Sequence, residues 1–287
     1  MRKSVISSRV GKGLVKLIVT SSADNASMNI RARLMERAQW DESGSFDGEP
    51  VLLHRDFIMV QVAKMHLEED HVDDRVRKET GKDVDAVIFA SRHRSEKRIP
   101  TLTVHPIGNY SSADFGGSPG TLCPTAPHLM TSALRNLKRN AAGLSWDVSF
   151  ETTHHGPTVN SPVFYIEIGS YEELWDRKEA AEAIAKSILD VEPRDDPVVL
   201  CVGGGHYAPR FTEVVLSRKM SVGHMAANYA LEALSPDMIA QMSKKSANAK
   251  KVYFHRKGMP KPAHRELRER FASCGLEEIS SDDLEQL

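Results

Sequence analysis

Continuous apolar runs alternate with amphipathic stretches along most of this chain. The run 14–19 predicts a first strand, followed by the polar loop TSSADNAS and an amphipathic helix over 27–37 with Ser27 as its N-cap. Residues 41–50, DESGSFDGEP, are polar and rich in turn formers, which predicts a plain connection. FIMVQV at 57–62 predicts a second strand, and the charged stretch 66–82 an exposed helix or loop closed by Gly81. Strands at 84–90 and 99–104 follow, each leading into a loop with a histidine. SSADFGGSPGTLCPTAP is too rich in Gly, Ser and Pro for a regular element, and a loop of that length suggests a lid.

Leu129, Ala133, Leu134 and Leu137 recur at helical spacing over 127–142. WDVSFETTHHGP and VFYIEIGS predict strand, turn and strand, and Leu174, Ala181, Ile184, Ala185 and Ile188 mark the next helix. An apolar strand at 198–202 leads into GGGHYAPRFTE and a second apolar run. From Met225 the pattern predicts a helix, a basic connection, the short strand KVYFH and a terminal helix from about Pro262. Continuous apolar strands alternating with helices place the chain in the α/β class, with a mixed, largely parallel sheet flanked by helices on both faces. The expected organisation is a single α/β domain over 14–287 behind an N-terminal extension, 1–13.

Composition narrows the function. With 38 Lys and Arg against 39 Asp and Glu the net charge is −1, which argues against general attachment to polyanions. A local exception runs from Arg210 to Arg265, where Lys and Arg outnumber acids and could meet phosphates. The three cysteines, Cys123, Cys201 and Cys274, are too far apart for a CxxC site and too few for a disulfide framework, so any metal would rest on His and carboxylates. No apolar run approaches the roughly 18 residues that span a bilayer. The start, MRKSVISSRVGKG, has the basic flank of a signal peptide but not its apolar stretch. These features lead us to expect a cytoplasmic protein with no membrane partner, more readily a monomer than an oligomer.

Twelve histidines remain to be placed. His93, His105, His154, His155 and His206 each follow a predicted strand, where a parallel sheet gathers loops at one edge. His54, His66, His71, His128, His255 and His264 lie in charged or helical contexts and are read as surface residues, with His224 undecided. A catalytic zinc site needs three protein ligands and one open position. His93, His154, His155 and His206, with Glu151, Glu167 and Glu213 near them, supply enough. His154 and His155 are adjacent, so on an extended segment they would face opposite ways unless the backbone turns. GGGH carries neither a P-loop nor a dinucleotide fingerprint, but its glycines permit close approach to a ligand.

TSSADNASMNI, SRHRSE, LTVHPIGN, ETTHHGPT, EIGS and GGGHYAPRFTE together resemble the D-aminoacyl-tRNA deacylases of the archaeal and plant type. That resemblance covers most of the chain and departs from it only at MRKSVISSRVGKG. It implies hydrolysis of the ester joining a D-amino acid to tRNA, zinc dependence, and an α/β fold like those of nucleoside phosphorylases, peptidyl-tRNA hydrolases and zinc carboxypeptidases. It matches His93, His154, His155 and His206 to the family's motif histidines, the expected Zn2+ ligands. Around them we assign Glu151 or Glu213 as general base with His155 also in a catalytic role. Asp24 and Asn25 would hold the substrate's amino group, and Gly203, Gly204, Gly205 and Tyr207 would bind the carbonyl or terminal ribose. The acceptor end of D-aminoacyl-tRNA would lie on the basic C-terminal face. The alternatives are a metal-dependent peptidase or phosphorylase of the same sheet family, or a tRNA-binding protein without catalysis.

Overall fold

The computed structural model of the protein describes residues 14–287, and the expected extension 1–13 lies outside them. At its centre is β1 (Lys16–Ser21), every residue of which is buried. Its neighbours β4 (Phe57–Val62) and β5 (Ala86–Arg92) are both parallel to it, and β8 (Val163–Gly169) adds to β5 in the same sense. Next to β8 the direction reverses. β6 (Thr101–His105) runs antiparallel to β8 and parallel to β7 (Asp147–Phe150). The antiparallel pair β2 (Asp41–Phe46) and β3 (Glu49–His54) completes an eight-stranded sheet at its other edge.

A second sheet of four parallel strands holds β9 (Val198–Val202), β10 (Ser221–Ala226), β11 (Lys251–Phe254) and β12 (Glu277–Ile279), in the order β10-β9-β11-β12. The mixed, largely parallel α/β arrangement is therefore present, divided between two sheets. Helices α1 (Asn25–Arg37), α3 (Pro127–Asn140) and α5 (Lys178–Leu189) cover one face of the large sheet, with Ile30, Leu34, Leu134, Leu137 and Ile184 in one cluster with Ile18, Ile88 and Ile166. The same cluster continues through Val199, Cys201, Val222 and Met225, so both sheets share it. On the opposite face, α2 (Val72–Thr80) and the β2–β3 hairpin cover Leu17, Val19, Val87 and Phe89. Among the described residues no helix is long and apolar enough to cross a membrane.

Several local expectations are corrected. Residues 41–50 form the β2–β3 hairpin, not a plain connection. As an outer strand β2 is largely exposed and needs no apolar alternation, which removes the usual signal. Met225 still belongs to β10, and α7 (Pro236–Lys245) begins only after a 3-10 turn over Asn228–Ala233. The cap of α1 is Asp24, not Ser27: Oδ1 accepts from the amides of Ala26 and Ser27 at 3.0 and 3.2 Å. Ser27 instead turns its hydroxyl back to accept from the amide of Ser21 at 2.8 Å.

His66, expected at the surface, and His224, left undecided, are both fully buried. His224 bridges Thr153 Oγ1 at 3.1 Å and the Cys123 carbonyl at 3.0 Å, and His66 Nε2 lies 3.3 Å from the Val19 carbonyl. Burial pushes His66 down to about 4 and His224 down to about 3. In the unfolded chain both ionise near about 6.5, so below that value the unfolded state binds more protons.

Two outcomes are expected. Stability from these imidazoles is complete above about pH 6.5 and falls on acidification by up to about 1.4 kcal/mol per pH unit per group. Urea unfolding at stepped pH should therefore show a midpoint dropping from pH 7 to 5, with a shallower slope in His224→Gln. Asp24→Ala should cost about 2 kcal/mol of unfolding free energy by removing the cap, read as a lower urea midpoint at unchanged slope.

Candidate active site

Beyond Tyr165 the apolar cover of the large sheet stops, and the alternation of its strands places polar groups on that face. Ser91 pairs with Glu167, Glu167 with Thr103, and Thr103 with Ser149, so all point the same way. One further step along each strand adds His93 after β5 and Glu151 after β7, while β6 ends on His105. The reversal of β6 and β7 matters here, because His105 pairs with Tyr165 in the middle of β8 rather than at its end. The histidines therefore meet over the sheet face, and not along one common edge of parallel strand ends.

Glu151 is the centre. Its Oε2 lies 2.9 Å from His206 Nε2, 3.2 Å from His93 Nδ1 and 3.5 Å from His154 Nε2. Beside it, Glu167 Oε2 lies 3.4 Å from His105 Nε2 and 3.7 Å from His93 Nδ1. Both carboxylates are buried. Although these atoms are close, neither oxygen of Glu151 nor His105 Nε2 has an aligned hydrogen-bond partner. Such orphaned buried groups are rare and call for an occupant.

The electrostatics follow from crowding. Burial opposes ionisation of Glu151, yet the surrounding imidazoles, His93 foremost, hold its carboxyl well below the usual range. Burial raises Glu167, while burial and the neighbouring His105 lower His154 well below the ordinary imidazole value and His155 to about 3. His105 is also desolvated, but the close Glu167 carboxylate raises it. His154 and His155 are thus neutral.

The backbone solves the problem of adjacent histidines. His155 has φ 45°, a left-handed conformation, so both rings turn inward with centroids 4.3 Å apart. Their Nδ1 atoms lie against carbonyls, that of His154 at 2.8 Å from Thr152 O and that of His155 at 2.6 Å from Gly156 O. His105 Nδ1 lies 3.2 Å from Pro106 O. A carbonyl can only accept, so each Nδ1 carries the proton and each Nε2 offers its lone pair inward, the tautomer a metal ligand needs. Three sets of donor atoms lie within 4.8 Å of one another: His105, His154 and His155; His93, Glu151 and His206; and His105, Glu151 and Glu167. These groups could hold a metal ion.

The second sheet delivers His206. The amides of Gly203 and Gly204 already donate within their own neighbourhood, to Ala226 O at 2.8 Å and Gly258 O at 3.2 Å. Those two amides are therefore engaged within the protein, and the segment returns the chain toward the large sheet. Gly203 and Gly204, at φ 102° and 88°, make that turn, and Gly205 is exposed. Thr152 N then donates to His206 O at 2.9 Å. Tyr207 reaches His93 Nε2 with its hydroxyl at 2.9 Å.

His93, Glu151, His154, His155 and His206 are therefore brought together, with Tyr207 at their side. His105, expected at the same edge but not among the zinc ligands, and Glu167, expected near them, join the group. Glu167 carried a signal, being the lone charged residue in an apolar strand. Glu213 is not brought in: it faces solvent on α6 (Pro209–Ser217), 69% exposed and 2.9 Å from Arg210 Nη1. Asp24 is also separate, with Oδ1 capping α1 and Oδ2 accepting from Arg92 N at 3.0 Å, while Asn25 is the exposed first residue of that helix. The basic C-terminal face is partly neutralised, since Arg256 and Arg268 both meet Glu278 and Lys219 meets Glu285.

Known proteins share this architecture. A sequence profile of D-aminoacyl-tRNA deacylase matches residues 80–279. The chain is 35% identical over 278 residues to a D-aminoacyl-tRNA deacylase of Methanosarcina acetivorans, covering 94% of this chain and 93% of that one. It is 34% identical to the D-aminoacyl-tRNA deacylase of Pyrococcus furiosus over 269 residues, covering 92% and 99%. A Methanococcoides burtonii deacylase is 37% identical over 95% of this chain, which spans only 58% of that longer relative. The crystal structure of a conserved protein of unknown function superposes with a TM-score of 0.87 at 32% identity, covering 96% of this chain and 98% of the other. With a profile match over most of its length and several full-length relatives above 30% identity, the chain belongs to the D-aminoacyl-tRNA deacylase family.

Proposed function

We propose that the chain hydrolyses the ester of D-aminoacyl-tRNA, releasing D-amino acid and tRNA, at a zinc ion held by the histidine and glutamate cluster. The observation that carries this is Glu151, a buried carboxylate without an aligned partner amid inward-facing imidazoles. The donor set is nitrogen and oxygen without thiolate, which suits zinc. His93, His154, His155 and His206, with Glu151 and the added His105, are the residues that would hold it. When bound, zinc would supply a water acidic enough to attack near neutral pH and polarise the ester carbonyl.

The chain's own groups do the rest. Glu151, ionised throughout the physiological range, keeps the centre anionic and ready for a cation. Glu167, whose carboxyl is raised by burial, is the group suited to return a proton to the ribose oxygen as the ester bond breaks. Tyr207 fixes the His93 ring. Lys and Arg of the C-terminal third would meet phosphates of the acceptor stem, in the cytoplasm where translation occurs.

D-tyrosyl-tRNA should be hydrolysed by the purified protein in preference to L-tyrosyl-tRNA. Chelation should abolish turnover, and added zinc should restore it. Turnover indifferent to chelation would remove zinc while leaving ester hydrolysis. In His154→Ala, turnover should fall at least about 100-fold while tRNA binding is retained, which separates catalysis from simple binding. Glu151→Gln should also lose bound metal, measured by elemental analysis of the purified protein.

A further inference from the structure

Two exposed aromatic rings border a single recess beside the histidine pair. Phe115 is 69% exposed and Tyr229 63%, the most exposed of the large hydrophobic side chains among the described residues. Both line a cavity of about 240 Å³ that also touches His154 and His155. Neither residue stands on loose backbone. The Phe115 carbonyl accepts from the amide of Gly156 at 3.0 Å, directly after His155. Tyr229 places its hydroxyl 3.1 Å from Thr152 Oγ1, and the amide before it, that of Asn228, donates to Gly204 O at 2.9 Å. Rings left in water on anchored backbone have no packing role in the free protein.

The geometry points to a seat for the terminal purine of the substrate, with an adenine ring stacked on Phe115 and Tyr229 while the ribose ester reaches the histidines. The inference rests on the deacylase reading above and adds where the base goes. An aminoacyl ester is carried by the last ribose, so a centre that cleaves it must accept the attached base one sugar away. Aromatic rings bind bases through their faces, which is strong and needs little else. Ser112 and Asp114 on the same rim supply polar partners for the ring edge. By contrast, the recess past Tyr207 mixes Ile99, Val148 and Leu216 with Lys97, Lys138, Asp147 and Glu213, and Tyr207 is its one aromatic ring.

The test is binding of adenosine 5′-monophosphate and of ribose 5-phosphate by the wild-type protein, Phe115→Ala, Tyr229→Ala and Tyr229→Phe, followed by equilibrium dialysis. Wild type and Tyr229→Phe should bind the nucleotide in preference to the sugar phosphate, and each alanine variant should weaken nucleotide binding about 5- to 100-fold. The same alanine variants should raise KM for D-tyrosyl-tRNA and D-alanyl-tRNA by equal factors with kcat little changed. A loss confined to D-tyrosyl-tRNA would assign the rings to the amino-acid side chain and overturn the inference, as would nucleotide binding unchanged in both alanine variants. Failure of wild type to hydrolyse any D-aminoacyl ester would refute the deacylase reading instead, and the dialysis would still decide whether the rings seat a purine. Both side chains are exposed, so the alanine variants remove little buried packing.

Discussion

The structure is organised around one buried negative charge. A carboxylate removed from water carries a desolvation cost that only nearby cations or strong donors can offset. Glu151 meets that cost with imidazoles drawn from four separate stretches of chain, which end or follow β5, β6, β7 and β9. Because those histidines also repel one another when protonated, His154 and His155 stay neutral, and the inward nitrogens could hold a metal ion. The carbonyls behind His105, His154 and His155 support the same state by holding each Nδ1 proton outward.

The sheet topology makes this possible. Had β6 continued the parallel order, His105 would lie at the far end of β8, level with Gly169. Its reversal pairs His105 with Tyr165 and Thr103 with Glu167, which brings the end of one strand over the middle of another. The left-handed His155 performs the equivalent service locally, turning a pair that would diverge on an extended strand into one that converges.

Much of this was legible in the amino-acid order. Continuous apolar runs such as VDAVIFA and VFYIEIG marked buried strands because both their faces are covered, and GGGH and THHGPT stood out as chemistry beside turn formers. What escaped had physical reasons. The β2 strand is polar because it is exposed, so it lacks alternation. Strand direction leaves no trace in local sequence, so the meeting of His105 and Glu167 was hidden in pairing alone. Asp24 looked like a substrate ligand, but the need to cap α1 and to satisfy the amide of Arg92 claims both of its oxygens. Glu213 shared a motif with His206, yet one turn of helix carries it out to solvent beside Arg210.

The position of β1 bears on the minimal length of such a chain. The profile match begins at residue 80, after β1 and β4, yet β1 lies hydrogen-bonded between β4 and β5. A fragment starting there would turn β5 into an open sheet edge, with unpaired amides inviting association with other chains. The strand that leads into His93 would then be the one most prone to slip or aggregate. Residues 14–62 carry none of the site's imidazoles, but they act as the retaining wall against which β5, and His93 after it, is held in register.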